Sequence, residues 1–293
     1  MPRNDLAIVI ATRNRPAILG NTLERLRGAG FGDVPLWVYD DGGDDPASVR
    51  RAVSQWPNAR LVVGEKRMGQ AGGRNVLLRQ CGRTFAIMLD DDQYFLDPGP
   101  LDSYLAMPGA SGPCAVVAFQ SINVADGRKA IPREHAAGET ASFMGGACLF
   151  HVPSVLAVGA YRDFFVYGWE EPELAMRLWL RGFHLHFDSN IIVEHNHRIT
   201  PDARRDLREY DYLYGRNIVL THTLNTTMAP GMLLGVLRAI RFANHPERHV
   251  GAAMLGMASG VRESFSRWAD RTPVSWSRLL EWRRYEKRCA AAR

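Results

Sequence analysis

Four apolar runs of strand length, Leu6–Ile10, Pro35–Tyr39, Leu61–Val63 and Phe85–Leu89, alternate with stretches of helical pattern over the first ninety residues or so. Strand–helix alternation of this kind builds βαβ units, and βαβ units build a parallel sheet with helices on its faces. The runs are continuously apolar, as expected of strands covered on both sides. Pro16 opens the first helix, where its missing N–H costs little, and Ile18, Leu19, Leu23 and Leu26 follow at helical spacing before Gly28–Gly32 closes it. Val49–Trp56 reads as the second helix, and a third carries Val76, Leu77 and Leu78 after the loop Gly69–Asn75. The predicted fold class is α/β.

Each unit carries its polar, Gly-rich or acidic residues where a strand ends: Ala11–Pro16, Asp40–Asp45 and Asp90–Asp92. Open α/β sheets hold their ligands beyond the carboxyl ends of the strands. Thr12, Asp41, Arg74 and Asp92 are therefore predicted to converge on one sheet edge although they are far apart in the chain. Three consecutive acids at such a point repel one another unless a cation sits among them. Oxygen ligands suit Mg²⁺ or Mn²⁺, and these in turn suit a diphosphate. The alternative is an N-cap for the next helix or a solvated acidic turn. Gly69–Gly73 is neither a P-loop nor a dinucleotide fingerprint, lacking both GK[ST] and G-x-G-x-x-G after a strand.

Further along, Ala115–Phe119 reads as a strand and Asp126–Glu139 as a loop. Gly145 and Gly146 permit either a ligand's approach to the backbone or a bulge. Trp169-Glu170-Glu171-Pro172-Glu173 opens a helix carrying Leu174 and Leu178, which Gly182 stops. Acids in a first turn suit the helix dipole, but paired carboxylates beside a Trp also suit general-base work near a sugar face. Phe183–Phe187 and Ile191–Val193 read as two strands, the second ending in Glu194-His195-Asn196-His197, whose histidines are candidate metal ligands. From Pro201 the pattern is helical. Three roles are open to that region: packing on the sheet domain, homo-oligomerisation, or contact with a membrane surface.

The net charge is +5, with the bases crowding the C-terminal part at Arg204-Arg205, Arg283-Arg284 and Lys287-Arg288. No nucleic-acid-binding motif accompanies them, so nucleic acid is not an expected partner. The start of the chain has no signal-peptide pattern, and no apolar stretch reaches bilayer-spanning length. Cys81, Cys114, Cys148 and Cys289 are widely spaced without a CxxC pair. They read as reduced thiols of a cytoplasmic protein, one that could work at the inner face of the membrane.

Five segments taken in order resemble the family 2 glycosyltransferases of the GT-A fold, most closely their bacterial rhamnosyltransferase-like and galactofuranosyltransferase-like branches: Ile8–Arg15, Val38–Gly42, Gly69–Asn75, Leu89–Asp92 and Gly168–Arg177. The resemblance covers residues 6–200, and more loosely 210–220. It implies a GT-A, Rossmann-like and mostly parallel sheet flanked by helices over residues 1–200, with a helical C-terminal region over 201–293. Carried over residue by residue, it puts Thr12, Arg13, Asp41, Arg74, Asp90 and Asp91 with the nucleotide sugar, Asp90 toward the ribose and Asp91 largely structural. It puts Asp92 on the metal with His195, His197 being the alternative ligand, and Gly145, Gly146 and Trp169 on the acceptor side. Glu171 becomes the base, with Glu170 as its understudy. The chain departs from the family pattern where Glu replaces the commoner Asp at the base and where Gly43 stands in place of Ser.

The implied activity is transfer of a sugar, with inversion, from a nucleoside-diphosphate donor to a hydroxyl of a glycan, a lipid-linked or a small-molecule acceptor, using Mg²⁺ or Mn²⁺. Two competitors use similar residues: a sugar nucleotidyltransferase and a non-catalytic glycan-binding protein on the same scaffold. The first needs a Gly- and Arg-rich loop directly after the first strand, and Thr12–Pro16 has no glycine. The second would have lost its carboxylates.

Overall fold

A computed structural model describes residues 2–106, 114–123, 137–196 and 207–291. Its centre is a sheet of nine strands: β1 (Leu6–Thr12), β2 (Leu36–Asp40), β3 (Ala59–Val63), β4 (Phe85–Asp90), β5 (Gln93–Asp97), β6 (Cys114–Asn123), β7 (Gly138–Glu139), β8 (Ala147–His151) and β9 (His184–His195). They lie in the order β3-β2-β1-β4-β8-β6-β9-β5, with β7 pairing β9. The helices are α1 (Pro16–Leu26), α2 (Pro46–Val53), α3 (Gly69–Gln80), α4 (Leu101–Ala106), α5 (Val152–Ala157), α6 (Glu170–Leu180), α7 (Leu207–Asn225), α8 (Met228–Ala243), α9 (Val250–Ser266) and α10 (Trp276–Ala291).

β1 pairs in parallel with β2 and β4, and β2 with β3, as the βαβ pattern requires. Beyond β4 the pairing is mixed: β8 runs antiparallel to β4 and β6, while β6 is parallel to β9. The period of two along β1 divides its side chains between two cores. Leu6, Ile8 and Ile10 pack with α1 and α2, whereas Ala7 and Val9 pack with the α3, α5 and α6 side. Both faces are covered, which is why the strands read as unbroken apolar runs.

Three local expectations are corrected. Gly69–Asn75 is not a loop before a helix; it is the first two turns of α3. A side chain at Gly73 would run into the Tyr39 ring of β2, so the glycines let this helix lie close against the sheet. No helix follows the three acids: β4 ends at Asp90, and β5 begins at Gln93. Phe183–Phe187 and Ile191–Val193 are halves of one strand, β9, in which the pairing with β6 jumps from Asp188 to Ile192. The Asp188 carboxylate accepts the Asn190 N–H at 2.9 Å and holds that irregularity. Most of the predicted 126–139 loop, like His197, lies outside the described residues.

The C-terminal helices pack against the rest of the molecule through α7 and α10. The buried Arg216 of α7 binds Glu263 of α9 (2.6 Å) and the Phe164 carbonyl (3.0 Å). α10, which the sequence pattern did not distinguish from a basic tail, buries Leu279, Trp282 and Tyr285 against α6. All four cysteines are free thiols. Among the described residues no helix is long and apolar enough to cross a membrane.

Candidate functional site

Parallel registry assembles the site. Thr12 stands opposite Asp40 across β1 and β2, and Ala11 opposite Asp90 across β1 and β4, so residues from three distant segments end at one edge. Antiparallel pairing of β5 and β9 sets Gln93 opposite His195, and the Asn196 N–H donates to the Asp92 carbonyl at 2.9 Å. This pairing delivers a histidine a hundred residues downstream to the acids.

The three acids face different partners. Asp90, about a quarter exposed, takes a hydrogen bond from Arg74 Nη2 at 3.1 Å, and its backbone N–H donates to Gln93 Oε1. Asp91 is buried, accepts from Thr12 Oγ1 at 2.6 Å and lies 3.2 Å from Arg15 Nη2. Burial pushes its carboxyl up to about 7, with Arg15 and Thr12 working the other way. Asp92 pairs with Arg15 at 2.6 Å and with His195 Nε2 at 3.3 Å. Burial opposes its charge, but the His195 hydrogen bond and Arg15 outweigh that and hold the carboxyl well below its usual range. His195 is raised in turn, because its bond to Asp92 outweighs the cost of its burial.

No cluster of three or more His, Cys, Asp or Glu with metal-holding geometry occurs among the described residues. Asp92 does supply a carboxylate oxygen of the kind Mn²⁺ and Mg²⁺ accept, with the His195 imidazole nitrogen beside it. Such ions take one or two protein ligands and fill their remaining positions with water and substrate phosphates. The residues present therefore fit a divalent cation shared with a diphosphate, with Arg15 as a second positive charge beside it. The sequence pattern does not single out Arg15. It is the last residue before Pro16, which gave no sign that its side chain turns back to the acids.

Arg74 links this cluster to α6. Its guanidinium is buried, and Nη1 donates to Glu171 Oε1 at 3.0 Å and lies 3.6 Å from Glu170. Glu171 is about one fifth exposed, whereas Glu170 is only 2% exposed. Burial first, and then the neighbouring Glu171 charge, push Glu170 up to about 8. Gly145 and Gly146 sit against these groups. A methyl at Gly145 would strike the Arg74 guanidinium and Glu171, and one at Gly146 would strike Asp90 and Gln93.

Three other predicted residues, Asp41, Arg13 and Trp169, have surroundings of their own. The buried Asp41 carboxylate accepts the backbone N–H groups of Met68 (2.6 Å) and Gly69 (2.9 Å), so it caps α3. Arg13 is exposed beyond the end of β1. Trp169 has φ 67°, in the left-handed region, and packs edge-on to Tyr214 of α7 at 5.9 Å. It also lines a cavity of about 190 Å³ together with Pro172, Met176, Arg238, Trp282 and Glu286. Arg238 and Glu286 are paired there at 2.8 Å.

The sheet order, the mixed second half and a site at the carboxyl ends of β1, β2 and β4 define a GT-A fold. Residues 7–142 match the family described as Glycosyl transferase family 2, a span that holds the three acids and Arg74 but stops short of Glu171 and His195. Among solved structures, the chain resembles the mannosyltransferase PcManGT from Pyrobaculum calidifontis in complex with GDP-Man and Mn²⁺, at 15% identity and a TM-score of 0.57, covering 98% of this chain and 84% of that one. It resembles S. aureus TarS 1-349 at 15% identity and a TM-score of 0.58, covering 89% and 80%. GalNAc-T7 with UDP, GalNAc and Mn²⁺ is similar at 12% identity and a TM-score of 0.60, covering 90% of this chain and 56% of the other. No curated protein sequence matches the chain significantly.

Proposed function

We propose that the chain is an inverting glycosyltransferase that moves a sugar from a nucleoside-diphosphate donor to an acceptor hydroxyl. One observation carries the reading: Arg74 holds Asp90 of the donor cluster at 3.1 Å and Glu171 at 3.0 Å, which sets an accessible carboxylate beside the strand ends where a donor would lie. Thr12, Arg13, Asp41, Asp90 and Asp91 form or flank the donor side, Asp41 through the α3 N-terminus that it caps. The match of residues 7–142 to Glycosyl transferase family 2 supports the class. The complexes of similar folds with GDP-Man, and of TarS with UDP-GlcNAc, support a nucleotide-sugar donor. The order of motifs favours a rhamnosyl- or galactofuranosyl-type branch.

Glu171 takes the proton from the acceptor hydroxyl as its oxygen attacks the anomeric carbon and the nucleoside diphosphate departs on the opposite side. Glu170, whose carboxyl burial and the Glu171 charge push upward, is shut away from solvent, so it is the poorer base. Arg15, beside Asp91 and Asp92, brings positive charge to the side where the leaving group gains negative charge, which favours the transition state over the ground state, while Arg74 positions Asp90 and Glu171. Asp92 and His195 would hold a divalent cation, Mg²⁺ or Mn²⁺, which when bound offsets the diphosphate charge. His197 is the alternative ligand. The cavity beside Trp169, aromatic on two sides and carrying the Arg238–Glu286 pair, supports an acceptor with a sugar-like ring. For scale, a cavity of about 150 Å³ already accommodates a six-membered ring. Residues 1–200 would then bind the donor and residues 201–293 complete the acceptor side. Free cysteines support a reducing, cytoplasmic setting.

The test is Glu171→Gln, which keeps the hydrogen bond from Arg74 but cannot accept a proton. Turnover is expected to fall by about 10²–10⁴ with nucleoside-diphosphate binding unchanged. Full turnover in that variant would remove Glu171 from the reaction.

A further inference from the structure

Helices α8 and α9 seat small residues closest to α7 and leave several large apolar side chains exposed, although Met232, Val236, Phe242, Met257 and Val261 pack partly inward. An amphipathic helix on a protein in water turns its large apolar side chains inward and its polar ones outward. In α8 the buried residues are Gly231, Gly235, Ala239 and Ala243, while Leu233 and Leu237 are 63% and 55% exposed. In α9 the buried residues are Ala253, Gly256, Ser259, Gly260 and Ser264, while Leu255 and Phe265 are 68% and 61% exposed. Val250 and Met254 share that outward face.

The small residues have a plain packing role. A Cβ at Gly235 would meet the Val219 backbone at 3.0 Å, and one at Gly260 would meet the Arg216 carbonyl at 2.6 Å, so both helices lie backbone-close on α7. Small residues between helices with large apolar residues facing out is the arrangement of helices whose outer medium is lipid. Yet α8 has 16 residues, a length of about 24 Å. That is shorter than a hydrocarbon core of about 30 Å, and the geometry suits a pair lying in the plane of the interface.

The charge chooses the occupant. Residues 228–291 carry eleven Lys and Arg against five Asp and Glu. The exposed positions within α8 and α9 include Arg241 and Arg262 and no acid. A second copy docked by the same face would bring these arginines toward their own equivalents with no carboxylate on either outer face, which disfavours a symmetric dimer there. An anionic phospholipid surface satisfies both the leucines and the arginines. We propose that α8 and α9 form a docking face for the anionic headgroup region of a lipid bilayer. The face lies on the outer side of these helices, and the proposal is independent of the reaction assigned to the Arg74–Glu171 site.

The experiment is co-sedimentation of the full chain with vesicles of phosphatidylcholine alone and of phosphatidylcholine with phosphatidylglycerol. Binding is expected only or far more strongly to the anionic vesicles, and to weaken as salt is raised. Leu233→Glu with Leu255→Glu should lower it by about tenfold or more, since each leucine loses its burial. Arg241→Glu with Arg262→Glu should lower it by about fivefold per residue and flatten the salt dependence. All four positions are on the surface, so melting curves of the variants should match the parent. The proposal is overturned if the chain ignores both vesicle types. It is overturned equally if the leucine variant binds like the parent, or if sedimentation shows a dimer that the leucine variant dissociates while vesicle binding is absent.

Discussion

Within one turn of α6, Glu170 is buried against Arg74, Glu171 reaches the same guanidinium from a partly exposed position, and Glu173 faces away from both. Glu173 is bound by Arg177 Nη2 (2.7 Å), Arg162 Nε (2.8 Å) and Asn225 Nδ2 (3.0 Å); burial opposes its charge, but the two arginines win and hold its carboxyl down to about 2. Identical side-chain chemistry thus yields a structural anion, a neutral acid and a candidate base, with surroundings alone making the difference. Glu170 binds its proton more tightly in the folded chain than in the unfolded one. Its contribution to stability is therefore complete below the ordinary carboxylate range and is lost as pH rises toward 8. Glu170→Gln should remove this dependence. Thermal melts from about pH 5 to 9 should show the parent losing roughly 1–3 kcal/mol relative to the variant across that range. Parallel curves would mean that Glu170 is charged in the folded protein.

At the scale of elements, the segment 164–169 that leads into α6 is held in place by α7. Asn217 Nδ2 donates to the carbonyls of Phe165 (3.0 Å), Tyr167 (3.2 Å) and Gly168 (2.6 Å). Val166 and Trp169 both sit at positive φ, 58° and 67°, which costs each residue about 1–3 kcal/mol and persists only where neighbours impose it. Gly168, at φ 81°, has no room for a side chain because the Tyr214 ring lies where its Cβ would be. The C-terminal helices thereby fix the entry of the helix that carries Glu171. Asn217→Ala should destabilise the fold by roughly 1–3 kcal/mol. It should also lower kcat while leaving nucleoside-diphosphate affinity near the parent value. An equal loss in donor affinity would show that the damage is global rather than confined to α6.

This element also marks where the sequence stops being legible. The ends of β1, β2 and β4 could be read in advance because an apolar run changes abruptly to polar residues, and parallel topology brings such ends together. The role of Asn217 could not, since a lone Asn inside a helical pattern carries no mark of the three carbonyls it meets. Arg15 is hidden for the same reason, and that the Asp41 carboxylate accepts two backbone N–H groups at the start of α3 is equally unmarked in the sequence. The glycines of α3 imitated a loop because close packing on Tyr39 and a turn both select glycine. The outward leucines of α8 and α9 preserve helical periodicity, and periodicity alone does not say which stripe faces in.

For the molecule as a whole, one edge of a GT-A sheet gathers Thr12, Arg15, Arg74, Asp90, Asp91, Asp92 and His195, with Glu171 reaching the same guanidinium from α6. That edge is the proposed site for a nucleoside diphosphate held with a divalent cation. The most direct measurement is a thermal-shift titration of the parent and of Asp92→Asn with uridine, guanosine and thymidine diphosphates, each with Mn²⁺ or with a chelator. One of the nucleotides with Mn²⁺ is expected to stabilise the parent by about 2.7 kcal/mol when present at a hundred times its Kd. The stabilisation should disappear with the chelator and in Asp92→Asn. No shift from any nucleoside diphosphate, or the same shift with the chelator and in the variant, would contradict the account.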